Sequence, residues 1–135
     1  MSRILTRLLA FAEIERKAAR QRLAEALSKR QAAETQARRA ELLILEGGAS
    51  TGTTDPSRLS AAASLRALLQ QAQDAASHRA GTASEAAGTA RAALLAAEAR
   101  HGRLQQMQAD ARRLQERQAE VKAADDRPHR ARNSR

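Results

Sequence analysis

Gly47-Gly48-Ala49-Ser50-Thr51-Gly52-Thr53-Thr54-Asp55-Pro56 interrupts a chain that otherwise reads as helix almost throughout, and it divides the sequence into two rods. Glycines, small hydroxyl side chains and a proline in so short a span make a loop by every local rule. Gly47 is placed to end the preceding helix, because glycine takes the left-handed conformation at little cost. Asp55 is a candidate N-cap with Pro56 at the first helical position, where a missing N–H does no harm. A second stop comes at Arg127-Pro128, after which the sequence reads as a disordered basic tail. These marks predict a first helix over residues 1–46, a hairpin loop over 47–55, a longer helix over 56–126 and a tail over 127–135.

Both rods carry a heptad pattern. In the second, alternating steps of three and four run through Leu65, Leu69, Ala72, Ala76, Arg79, Ala83, Ala86, Ala90, Ala93, Ala97, Arg100, Leu104, Met107, Ala111, Leu114, Gln118 and Val121. Only Arg79, Arg100 and Gln118 interrupt this apolar seam, which is the mark of a coiled coil. Gly81, Gly88 and Gly102 all fall opposite it, at the outermost heptad position, where they cost helix propensity and remove no packing. The first rod has a similar stripe: Leu5, Leu9, Ala12, Arg16, Ala19, Leu23, Ala26, Arg30, Ala33, Ala37, Ala40 and Ile44.

A short loop between two such helices favours antiparallel neighbours. The expected fold is therefore all-α, a long antiparallel two-helix coiled coil, or helical hairpin. At 1.5 Å per residue the arms measure roughly 65 Å and 105 Å. Pairing counted outward from the loop sets residue 3 near residue 100, so that everything after Arg100 projects as a C-terminal helix end. The apolar stripe continues along that end, and a stripe with no internal partner implies an external one. The densest apolar patch, Ile4, Leu5, Leu8, Leu9, Phe11, Ala12 and Ile14, lies at the other end of the shorter arm. It is wider than the stripe of about 100° that one neighbouring helix needs.

Composition agrees with rods rather than with a globule. Phe11 is the single aromatic residue, and there is no Trp, Tyr or Cys. Alanine, leucine, arginine, glutamine and glutamate dominate, and all are strong helix formers. Alanine buries little area, so the hairpin should be marginally stable and gain order from partners. The net charge is +9, and the tail contributes Arg127, Arg130, Arg132 and Arg135 without an acid. That excess permits contact with nucleic acid, acidic lipid or an acidic protein surface without choosing among them. Met1–Ala12 loosely mimics a signal peptide, but its apolar run is short and Glu13 and Glu15 follow at once, so it reads as retained and the protein as cytoplasmic.

No catalytic chemistry is visible, and the chain does not read as an enzyme. His78, His101 and His129 form no pair at metal-ligand spacing and read as solvated, so no metal and no cofactor are expected. The glycines of the loop lack the lysine of a phosphate-binding loop, and no His–Asp arrangement stands ready to activate a hydroxyl. The arginines of the second helix scatter over several heptad positions with no aromatic residues for base stacking, which argues against specific nucleic-acid binding.

A long helix, a polar loop and a longer helix, in a chain of this length, resemble the FliJ family, the stalk proteins of the flagellar and type III export ATPase. So do the stretches Arg103-Leu104-Gln105-Gln106-Met107-Gln108 and Arg113-Leu114-Gln115-Glu116-Arg117-Gln118. The closing Lys122-Ala123-Ala124-Asp125-Asp126 before a basic tail is similar as well. The chain departs from that family in its scarcity of aromatics and its wealth of alanine. The resemblance implies a central-stalk component of a flagellar export apparatus, peripheral to the inner membrane. It implies that the end carrying both termini enters a hexameric export ATPase, while the body meets a membrane export-gate protein and export chaperones. The ATPase contact would then fall on Ile4, Leu8, Phe11, Leu104, Met107, Arg112, Arg113, Leu114 and Arg117. Two other classes stay open: a scaffold coiled coil that dimerises through its apolar stripes, and a basic binder of nucleic acid or membrane surfaces.

Overall fold

The computed structural model describes the backbone of residues 2–48 and 55–133 and the side chains of residues 3–46 and 55–126. Among the described residues there are two helices packed against each other and no strand: α1, Ser2–Gly48 (47 residues), and α2, Pro56–Asn133 (78 residues). This is the arrangement of a helical hairpin. Most of the loop expected at 47–55, and every side chain of the basic tail including His129, lie outside the described residues.

The helix boundaries have local causes. α2 starts where its cap predicts: the Ser57 N–H donates to Asp55 Oδ1 at 3.2 Å, and the Leu59 N–H donates to the Asp55 carbonyl at 2.9 Å. The first contact occupies a donor that the first turn of a helix leaves free, and the second is the first backbone bond of the helix itself. α1 takes in Gly47 and Gly48 instead of stopping before them, and no described glycine has a positive φ. α2 continues to Asn133, past the stop read at Arg127-Pro128. A proline inside a helix removes one backbone bond and crowds the carbonyl four residues back, and this helix carries it.

By its contacts the chain falls into two compact units, each drawing on both helices: Met1–Lys17 with Leu95–Arg135, and Ala18–Leu94. Both are built on alanine. The buried apolar side chains among the described residues are Ala12 and Ala97 in the first unit and Ala19, Ala76 and Ala87 in the second. At about 0.8 kcal/mol per buried carbon, these methyl groups contribute roughly 4 kcal/mol in all. Among the described residues most side chains stay in water, as the composition requires.

The stripe read along α1 is the face that packs: all twelve positions from Leu5 to Ile44 are buried or half-buried. The seam read along α2 is right at every other position only. Leu69, Ala76, Ala83, Ala90, Ala97 and Leu104 do face α1. Between them, however, the residues that turn inward are Gln73, Ala80, Ala87, Leu94, His101 and Gln108. Ala72, Arg79, Ala86, Ala93, Arg100 and Met107, which the sequence reading placed there, are exposed. The step order is four then three instead of three then four. Alanine on both sides of the choice, as at Ala86 and Ala87, makes the two frames look alike. The arginines that seemed to break the seam, Arg79 and Arg100, lie outside it.

In the second unit, α1 residues 22–29 face α2 residues 78–86 across a shallow groove floored by Ala26, Ala83 and Ala86. Arg30, a seam position of α1, reaches along its own helix to Glu34 at 3.7 Å. An exposed pair of this kind contributes little.

Two predictions test this packing. A Cβ added at Gly81, Gly88 or Gly102 meets nothing within 4 Å. Replacing each with alanine should therefore raise the unfolding free energy by about 1 kcal/mol per site in urea melts followed by circular dichroism. The seam frame is tested by a neighbouring pair. Ala87→Leu should destabilise by about 1–3 kcal/mol through overpacking, whereas Ala86→Leu should stay within about 0.5 kcal/mol of the parent.

Candidate protein-contact surface

All nine residues expected at the partner contact belong to the first unit, and each is exposed or half-exposed. Ile4 is 65% exposed, Phe11 64%, Leu114 58%, Met107 53% and Leu8 47%. Leu104 is half-buried, and Arg112, Arg113 and Arg117 are exposed. The unit brings four of the nine together: Leu8 and Phe11 of α1 and Leu104 and Met107 of α2 line one open groove. Ala12 forms its floor, and Glu15, Arg100 and Arg103 stand at its edge. Ile4 lies one helical step before Leu8, while Leu114 and the three arginines lie further along α2.

The level at which the helices meet differs from the count made outward from the loop. Arg100 pairs with Glu15 at 3.4 Å, whereas that count set residue 100 beside residue 3. A seam in which alanine alternates with half-buried leucines fixes the level only weakly, so counting residues is a poor guide to it. As a result α1 covers α2 further than expected: Gln108 and Ala109 are still half-buried, and exposure becomes continuous from Asp110 to Asp126. Residues 101–109 belong to the packed region, not to the uncovered one.

A polar cluster crosses between the helices at this level. His101 is the buried polar residue among those described, 8% exposed, and not the solvated histidine its surroundings in sequence imply. Its Nε2 lies 3.0 Å from Glu13 Oε2 on α1. The other carboxylate oxygen of Glu13 accepts a hydrogen bond from Arg16 Nη2 at 2.9 Å. Arg16 is itself a seam residue of α1, and its Nε is buried without a hydrogen-bond partner among the described residues. The Arg16 hydrogen bond holds the Glu13 carboxyl below the usual carboxylate range, and the charges of Arg16, His101 and Lys17 add to the effect. Partial loss of solvent acts in the opposite direction. This cross-helix cluster escaped the sequence reading because that reading put Arg100 in the seam. Leu94, seven residues before His101 and a better seam residue than Ala93, was the available signal.

Beyond the groove the apolar stripe of α2 departs from the seam. Continued at its own spacing, the seam would pass through Gln108, Gln115 and Lys122. The stripe passes instead through Met107, Leu114 and Val121, one residue earlier in each heptad, sharing Ala111 and Gln118. A shift of one residue at every other position turns the stripe by about 50° around the helix. It therefore starts in the groove beside Leu8 and Phe11 and runs along the side of α2, not along the face that α1 covers.

Among the described residues no three His, Asp or Glu side chains gather where they could hold a metal ion, and no helix is long and apolar enough to cross a membrane. No family model, curated protein or solved structure matches the chain.

The polar cluster makes two predictions. Because the Glu13 carboxyl is held below its ordinary value, its contribution to stability is complete above about pH 4.3 and fades as pH falls through its lowered value. In thermal melts taken down through this range, Glu13→Gln should lose less stability on acidification than the parent; parallel curves would show that the cluster contributes nothing. His101→Leu leaves Glu13 partly in solvent and still bonded to Arg16 at 2.9 Å, so it should change the melting temperature little, yet loosen the level of the helices. The chain has no native cysteine, so the level can be read by disulfide capture. Leu8→Cys should pair with Met107→Cys in the parent, and in His101→Leu it should also capture Arg100→Cys and Leu114→Cys.

Proposed function

We propose that this chain is the central stalk of a flagellar, or type III, protein export apparatus. In this reading it is an antiparallel coiled coil with a projecting C-terminal helix end, and it performs no catalysis of its own. Its terminal end enters a hexameric export ATPase. Its body meets a membrane export-gate protein and export chaperones on the cytoplasmic side of the inner membrane. The family resemblance of the sequence motivates the assignment.

One observation supports it most directly. The first unit leaves Ile4, Leu8 and Phe11 of α1 uncovered beside an α2 run whose described side chains are all exposed from Asp110 to Asp126. Exposed apolar residues at helical spacing, rimmed by arginines, fit a rod end that packs inside a ring of larger subunits. The stalk supplies shape and charge, and the residues of the ring perform the ATP chemistry.

The scaffold reading also has an observation on its side. The second unit leaves Leu42, Leu43, Leu45, Leu59, Leu65 and Leu68 more than half exposed. A dimer through those residues would appear in sedimentation as a doubled mass that Leu42→Ser with Leu68→Ser returns to a monomer.

The stalk reading is tested by truncation after Ala109, which removes the uncovered run and spares the packed residues His101 and Leu104. The shortened chain should stay helical by circular dichroism and lose stimulation of a purified hexameric export ATPase. Full stimulation by it would refute insertion.

A further inference from the structure

We propose that the groove of the first unit, with the side stripe that leaves it along α2, is the seat for a single amphipathic helix with acidic flanks. The inference rests on the reading of this end as a contact surface, and it names the chemistry of what binds there.

The occupant is a helix because of spacing. On α1 the exposed row Ile4, Leu8, Phe11 has steps of four and three. On α2 the row Leu104, Met107, Ala111, Leu114 repeats the same steps. Two adjacent helices whose free side chains recur about every 3.5 residues offer holes to a third helix with the same repeat. The α1 row ends at Ile4, but the α2 row continues to Val121. From Leu104 to Val121 it measures about 26 Å, so a helix of roughly 18–20 residues would fill it.

The flanks are acidic because the rim is basic. Arg100 and Arg103 stand at the groove edge. Arg7 lies between Ile4 and Phe11 on the same side of α1, and Arg117 follows Leu114 on α2. Glu15 offsets Arg100, which it meets at 3.4 Å, and Asp110 keeps its charge while accepting from Gln106 Nε2 at 3.1 Å, so the basic excess of the rim rests on Arg7, Arg103 and Arg117. The first twelve residues carry no acid at all. A second copy of this chain would bring the same arginines face to face, and a like-charged rim opposes that contact.

The probe is a labelled synthetic helix of roughly 20 residues with leucine at heptad a and d and glutamate on both flanks. One control replaces its glutamates with lysine, and another scrambles the order at constant composition. Binding to the full chain is read by fluorescence anisotropy. The acidic peptide should bind, and either control should bind at least about tenfold more weakly. Phe11→Ser with Met107→Ser should weaken the acidic peptide by about tenfold or more, while Leu95→Ser, an exposed site off the groove, leaves it unchanged. Equal binding of the lysine or scrambled peptide, or binding indifferent to Phe11→Ser with Met107→Ser, overturns the proposal. So does a dimer in sedimentation that the same two substitutions dissociate, because it gives the groove to a second copy. ATPase stimulation measured on the same variants keeps the two readings apart: peptide binding without stimulation sinks the stalk alone, and stimulation without peptide binding sinks the acidic helix alone.

Discussion

The Glu13 carboxylate reaches His101 on the other helix at 3.0 Å and Arg16 on its own helix at 2.9 Å, and the level of the two helices in the first unit depends on that contact. The buried apolar side chains there are Ala12 and Ala97. Methyl groups hold helices together through area alone, and they give a slide of one heptad little to oppose it. A charged group in the seam behaves differently. Moved by a heptad it would leave a buried imidazole without its carboxylate, which costs far more than an alanine exchange. Cohesion and specificity thus come from different residues. The second unit shows the same economy of apolar area, with Ala19, Ala76 and Ala87 buried and Gln73 half-buried in its seam.

The sequence made the two helices, the Asp55 cap and the whole packing face of α1 legible. Those features rest on strong signals: a glycine- and proline-marked interruption, an oxygen-bearing cap before proline, and a stripe with Leu5, Leu9, Leu23 and Ile44 at its corners. The packing frame of α2 was half legible. Where Ala86 stands beside Ala87, or Arg100 beside His101, periodicity alone has nothing to choose with, and apolar Met107 pulled the reading toward the wrong neighbour of Gln108. Met107, Leu114 and Val121 follow that other frame, and all three are exposed. The level of the helices was not legible, since the polar contacts that cross it, Glu13 with His101 and Glu15 with Arg100, join residues 88 and 85 positions apart that no local pattern announces.

The groove and the cluster occupy the same stretch of the same unit. Ala12 and Glu15 line the groove, and Glu13 between them bonds to His101. Whatever sets the level of the helices therefore also sets whether Leu8 and Phe11 stand opposite Leu104 and Met107. A slide by one heptad would place Phe11 beside Ala97 or Ala111 instead of Leu104 and change what lines the groove. The same few residues set both the alignment of the helices in the first unit and the geometry of its groove.

From Asp110 to Asp126 every side chain of α2 faces solvent. Such a run keeps its coil only through its own backbone bonds and neighbours such as Gln106 and Asp110, and lone helices of this length are close to balanced against the unfolded chain in water. Its amide hydrogens should accordingly exchange with solvent far sooner than those of the stretch around Ala97. Anything that grips this end must first hold it wound, and it spends part of its contact energy on that ordering. A grip of that kind is less tight than its area implies, and more readily let go.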